Sequence, residues 1–255
     1  MSQPISHLPW EIDEPGQYHL ESSLHCDQGT YAIKVAAPDV ALDLRGQSLS
    51  CQDGTTILLS DERFTLSHGK ISGTPVAIAP EPHSRAHDCH FHDLVIVGGL
   101  YAAGDRTLVH RCKVEGGSYG IRLGIKSQVQ ECEVKNAFVG IEVGAGSEIR
   151  DCQVWECEDG VYAFGSREAP SFLEKVVVCE CAGLGIRLDG PGELYRCEAH
   201  NNGKTRGSGG IHAGPATSVQ ECEAYQNNGG DIIIVDPCDL SDNRTSDGSG
   251  AGRCK

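Results

Sequence analysis

Apolar and polar residues alternate along most of this chain. In Val129-Gln130-Glu131-Cys132-Glu133-Val134, Cys132 and Val134 fall on one face and Glu131 and Glu133 on the other. Gly140-Ile141-Glu142-Val143 repeats the arrangement, with Ile141 and Val143 opposite Glu142. Period two with β-branched residues predicts short strands. Glycines and asparagines separate them, as at Gly116-Gly117, Asn201-Asn202-Gly203 and Asn227-Asn228-Gly229, which suits tight turns. The pattern is itself periodic: Cys112, Cys132 and Cys152 recur every twenty residues, and so do Gly120, Gly140 and Gly160. That interval holds two or three short strands and their turns but no helix pair. Such repeats bury their apolar side by stacking on neighbours, which predicts an all-β parallel solenoid of ~20–25-residue rungs.

Weaker copies extend the series in both directions. Leu94-Val95-Ile96-Val97-Gly98-Gly99 matches Cys112-Lys113-Val114-Glu115-Gly116-Gly117, with Leu94 at the cysteine position. Cys197 and Cys222 continue it downstream. The reading is a β-helix over 30–235, an N-terminal cap and first strand over 1–29 with Trp10 covering the first rung, and a loose C-terminal cap over 236–255. Two rungs are lengthened, by Ser166–Ser171 and by Lys204–Ser208. Insertions in solenoids map to loops at the turns, often beside a binding surface.

The cysteines sharpen this picture. Cys112, Cys132, Cys152, Cys197 and Cys222 take one inward position and are expected to stack as a ladder of free, buried thiols, with Cys157 and Cys181 as a shorter second stack. In-register stacking does not readily supply the dihedral of a disulfide. A net charge of −15 argues against nucleic acid, whose phosphates need clustered cations. No stretch is long and apolar enough for a membrane span, and no basic-then-apolar leader is visible, which reads as cytoplasmic.

Aligned outward positions form columns along a β-helix, and one column is chemically mixed. On successive G-I-x-Φ motifs it reads Arg122, Glu142, Tyr162, Arg187, His212. Arginine neutralises a carboxylate, and Tyr or His moves protons. Glu142 either anchors the arginines or receives a cation, and Asp189 and Lys126 flank the face. The plainer alternative is mutual stabilisation of opposite charges on adjacent strands. Asp159 and Asp189 could pair as acid and base, but sequence does not fix the separation that decides this. A second column, His68, Asp93, Arg111, Glu131, Asp151, Lys175, Arg196, Glu221, intermixes signs and reads as a solvated charge ladder. His83, His87, His90 and His92 cluster in ten residues, with His110 at nearly the same place on the next rung. A Zn²⁺ or Cu²⁺ site and an ordinary polar surface both fit, since no specific metal motif is present.

These repeats, and the opening Ile12–Leu20 and Ile33–Gly46 segments, resemble the right-handed parallel β-helix repeats of the pectin-lyase-like superfamily. The resemblance implies a single right-handed parallel β-helix and a substrate groove on one outward strand face. The superfamily includes polysaccharide lyases, hydrolases, esterases, uronan epimerases and adhesins. It therefore implies a carbohydrate or small-molecule partner, with a lyase or epimerase acting on a uronate-like sugar as the first reading. In that reading Tyr162 or His212 removes the C5 proton, Arg122 or Arg187 neutralises the carboxylate, and Glu142, Asp189 and Lys126 bind substrate. No cofactor is required, with a divalent cation left open. The alternatives are a non-catalytic glycan- or protein-binding scaffold and a plain structural repeat.

Overall fold

The computed structural model describes residues 2–74, 76–84, 86–102, 104–204, 209–235, 237–246 and the backbone of 253–254. It is an all-β parallel solenoid of about 11 turns. Among the described residues the strands form one 21-stranded and one 12-stranded sheet, each strand pairing with its counterparts on the preceding and following rungs. A representative rung contributes Gln128–Gln130 and Glu133–Lys135 to the large sheet and Val139–Val143 to the small one. Each rung is thus three-sided. The small sheet carries the G-I motif.

The three corners share one design. An outward residue takes a left-handed backbone, and a small inward residue follows it. At the first corner Arg111, Glu131, Asp151, Lys175, Arg196 and Glu221 all have φ between 50° and 53°. Side chains other than glycine rarely adopt that conformation. Here each strained residue donates its N–H to the next rung, as in Arg111 N to Gln130 O at 3.0 Å and Glu131 N to Arg150 O at 3.1 Å. The ladder bond offsets the local cost, because an unpaired amide would cost more.

The inward residues of this corner are the cysteines. Cys112, Cys132, Cys152, Cys197 and Cys222 are all buried. The stack is interrupted, however: Lys175 is followed by Val176, which is fully buried between the Cys152 and Cys197 rungs. A valine fills this slot as well as a thiol does, because the slot asks only for a small apolar volume. Cys157 and Cys181 occupy the second corner as expected, and Asn202 and Asn227 continue their column. Asn202 Oδ1 accepts from Cys181 N at 2.9 Å while its amide donates to Val178 O at 3.0 Å. At the third corner Thr107, Ser127, Ser147 and Ser171 chain together, each serine hydroxyl oxygen accepting the N–H of the residue on the rung before.

The solenoid runs past the boundaries read from sequence. Gln3–Ile5 already pairs with Tyr18–Leu20, so the stacking of rungs begins within the N-terminal segment. Trp10 lies in the terminal strand of the small sheet, opposite Ile33 on the next rung. At the other end Asp239–Ser241 and Arg244–Thr245 pair with the preceding rung, and Arg253–Cys254 pairs with Ile233–Ile234. These segments lack clean alternation, but a parallel edge offers unpaired backbone groups to any strand that reaches it. Residues 205–208 of the Lys204–Ser208 insertion, and Asp236, lie outside the described residues.

Candidate functional site

The small sheet aligns the chemically mixed column in register. Tyr101 pairs with Arg122, Arg122 with Glu142, Glu142 with Tyr162, Tyr162 with Arg187, and Arg187 with His212. The column therefore exists as a continuous outward row. It begins one rung earlier than the G-I motifs indicate, at Tyr101. Glycine placement allows the close packing behind this sheet. A Cβ on Gly120, Gly140 or Gly160 would collide with the Cγ1 of Val134, Val154 or Val178 respectively. Only glycine lets the turn pack that closely on the wall behind it.

Within the row the charges are already paired. Arg122 Nε lies 2.7 Å from Glu142 Oε1, and the guanidinium sits over the Tyr119 and Tyr101 rings at 4.4 and 5.1 Å. Arg187 is clamped by Asp189, with Nε 2.9 Å from both carboxylate oxygens. That contact raises the Arg187 pKa further above its ordinary value. The Tyr162 hydroxyl donates to Asp159 Oδ2 at 3.4 Å, and the Arg187 guanidinium lies 6.0 Å from its ring. Asp159 is buried, and its other oxygen accepts the Leu184 N–H at 2.8 Å. Asp159 and Asp189 are thus committed to separate partners. Lys126 stands apart, exposed at the third corner with φ of 55°.

Two depressions open on this side of the solenoid. One of about 190 Å³ is lined by Tyr101, Arg122, Glu142 and Phe164, with Gly124 and Gly144 in its lining. The glycines carry no side chain, which leaves the space between the Arg122–Glu142 pair and the exposed Phe164 ring. The other, of about 340 Å³, is lined by Glu81, His83, His87 and Tyr101. Tyr101 is the wall common to both. The Ser60 hydroxyl and then the Lys34 ammonium hold Glu81 below the usual carboxylate range, and His87 Nδ1 accepts the Asp105 N–H at 2.9 Å. Tyr162, Arg187 and His212 follow on later rungs and do not line either depression. Sequence reading missed Tyr101, Phe164 and Glu81. The signal for Tyr101 was present: Leu100-Tyr101-Ala102 aligns with Ile121-Arg122-Leu123.

A third depression, of about 310 Å³, lies on the large sheet, where Trp155 stands beside Lys113, Lys135, Glu115 and Glu133. The sequence-predicted charge ladder is real and largely paired: Arg111 with Asp93, Lys175 with Asp151, Arg196 with Glu221. The histidines converge near its start. His90 and His92 share a face with ring centroids 6.0 Å apart, and His92 is paired with His110 on the next rung. Burial, then the neighbouring His92 and His110, lower the His90 pKa. Arg111 and then His92 hold Asp93 well below the usual carboxylate range.

No family model matches the chain, and no curated protein is detectably similar to it in sequence. Among solved structures it is similar to the crystal structure of pectate lyase Pel9A, with a TM-score of 0.50 and 12% identity, over 94% of this chain and 73% of that one. The fold is the pectin-lyase-like β-helix. At that identity the likeness speaks for the path of the backbone, and the site has to be argued from its own side chains.

Proposed function

We propose that this pectin-lyase-like chain is a carbohydrate-directed protein that lays a uronate-containing oligosaccharide along its G-I face. The observation that carries this reading is Tyr101, whose ring divides two depressions on neighbouring rungs. A linear sugar chain crossing the rungs would meet aromatic surface at Tyr101 and Phe164, a carboxylate anchor at Arg122, and hydrogen-bonding groups at Glu142, Glu81 and His87. Aromatic faces supply apolar contact for a pyranose ring, and a few placed polar groups fix its orientation. Arg122 lines the depression beside Glu142, where its guanidinium fork would take a ligand carboxylate.

The reaction that suits these groups is proton abstraction next to a carboxylate. Arg122 or Arg187 would stabilise the anion that develops there. Tyr162, hydrogen-bonded to the buried Asp159, and His212 two rungs beyond it would move the proton. Loss of the C4 substituent then gives elimination, and return of a proton from the opposite face gives epimerisation. Asp189 and Lys126 would contribute to binding at the edges. A second reading, a glycan-binding scaffold without turnover, draws on the pairing of both arginines with carboxylates of the same sheet.

The test is thermal shift with uronic-acid and neutral oligosaccharides, together with ultraviolet absorbance for an unsaturated product and solvent-deuterium uptake at C5. Uronides should stabilise the parent and not Tyr101→Ala or Arg122→Ala. Tyr162→Phe should still bind but form no product. Binding with no product and no deuterium uptake in the parent would establish the scaffold reading. Equal shifts in the parent, Tyr101→Ala and Arg122→Ala would remove the site from this face.

A further inference from the structure

We propose that His68, His92 and Asp93 form a binding site for a divalent transition-metal ion of the zinc class, on the large sheet and independent of the G-I face. His68 and Asp93 take the same corner position on adjacent rungs, each with φ of 56°. His92 directly precedes Asp93 within the strand His90–Val97 and is paired with Ser67. The register brings one donor atom from each of the three within 4.8 Å of the others. His92 Nδ1 lies 2.8 Å and His68 Nε2 lies 3.8 Å from the same oxygen, Asp93 Oδ2. Ligands on a tetrahedral zinc ion stand about 3.3 Å apart, given bonds of about 2.0–2.2 Å. The observed spacings bracket that value, so small side-chain rotations are enough.

The groups behind the ligands point the same way. Asp43 Oδ1 lies 3.3 Å from His68 Nδ1. A carboxylate on Nδ1 fixes the tautomer that leaves Nε2 with its lone pair, on the side that faces Asp93. This carboxylate–histidine arrangement is how metal-ligating imidazoles are usually oriented. Asp93 is held in turn by the Arg111 fork, with Nε and Nη2 at 2.7 and 2.9 Å. The arginine fixes the carboxylate in place but competes for its charge, so the affinity is moderate. For the ion to take His92 Nδ1, the hydrogen bond between that nitrogen and Asp93 Oδ2 gives way to coordination.

The donor set selects the ion. Two imidazoles and one carboxylate suit Zn²⁺, Co²⁺, Ni²⁺ or Cu²⁺, whereas Ca²⁺ and Mg²⁺ prefer oxygen ligands alone. Three protein ligands leave a fourth position open, and His68 is exposed. The open position faces solvent, where an exchangeable water or a ligand oxygen would complete the coordination.

The experiment uses untagged protein under reducing conditions, titrated with Zn²⁺ by calorimetry and with Co²⁺ by visible absorption. One ion per chain is expected, with a four- or five-coordinate cobalt spectrum and no sulfur-to-cobalt charge-transfer band. His68→Ala and His92→Ala should each weaken binding at least tenfold. Asp43→Asn should weaken it about 10–100-fold, the usual effect of losing an outer partner, while giving the same cobalt spectrum at saturation and the same metal-free Tm. His25→Ala, far along the chain and ion-paired to Asp27, should change nothing. Binding that survives the His68→Ala/His92→Ala double variant, a thiolate charge-transfer band, or no heat and no spectrum at millimolar metal would each overturn the proposal.

Discussion

Arg122 and Glu142 face each other across one rung spacing, Nε to Oε1 at 2.7 Å, at a depression that Gly124 and Gly144 also line. Both are partly exposed, so the pair contributes little to stability, roughly 0.2–1 kcal/mol. Its larger effect is on what Arg122 can bind. Glu142 already satisfies part of the guanidinium and repels an incoming carboxylate.

Replacing Glu142 with Gln is therefore expected to tighten uronide binding by about two- to fivefold, the equivalent of an exposed ion pair. Affinity for neutral oligosaccharides should stay within the error of calorimetry. Weaker binding of both classes would instead mean that Glu142 itself holds sugar hydroxyls.

Gly140→Ala tests why the twenty-residue glycine interval exists. A methyl group there would strike Val154 Cγ1 and lie 2.7 Å from the Gly160 carbonyl oxygen. Neither can retreat, since Val154 is fully buried and Gly160 belongs to the next rung of the same sheet. Overpacking costs about 1–3 kcal/mol, and the upper end is expected in denaturant unfolding. An unchanged midpoint would show that the turn has slack.

The thiols make a prediction about reactivity. Burial pushes the Cys89 thiol up to about 11 and raises Cys197 well above its ordinary value. Thiolate is the reactive form, so buried cysteines should resist labelling in the native protein. Among the described cysteines only Cys179 and Cys238 are partly exposed, and a thiol reagent should reach these first. The others should react only after denaturation. Cys152→Ala should cost about 1–2 kcal/mol, as the loss of a small buried group in a tight stack. Rapid native labelling of Cys132 or Cys152 would contradict an inward ladder.

How much of this was legible in sequence depends on which residues carried the signal. Alternation and the Gly120–Gly140–Gly160 interval report side-chain direction and packing directly, so they yielded the parallel β-helix. The corners were harder: charged residues such as Arg111, Glu131 and Asp151 stand at positive φ, where propensity alone would not place them. Val176 within the cysteine stack could not be told from any other buried valine. The depressions depend on Phe164 and Gly144 lying beside the Glu142–Tyr162 row, which requires the register of neighbouring rungs. His68 and His92 come together for the same reason. They are 24 positions apart, and only the pairing of Ser67 with His92 makes them neighbours.

The third corner begins with alternating charges, and these contribute to the response of the fold to acid. Arg63 grips Asp39 and Arg106 grips Asp88, each through Nε at 2.7 Å. Each arginine holds its aspartate below the usual carboxylate range. Glu62 also touches Arg63, and His87 lies near Asp88. A carboxylate with a depressed folded pKa stabilises the fold above its unfolded value, about 3.9, and that contribution fades as pH falls through the lower folded value. The parent should therefore lose Tm on the acid side of about pH 4. Replacing both Arg63 and Arg106 with Gln should lower Tm at neutral pH. The difference from the parent should shrink as pH drops below that point, and also in high salt, since these pairs are exposed and screened. Melting curves of both proteins between neutral pH and pH 3 check this. A gap that stays constant through the acid range would mean that the arginines act by packing their stems rather than by charge.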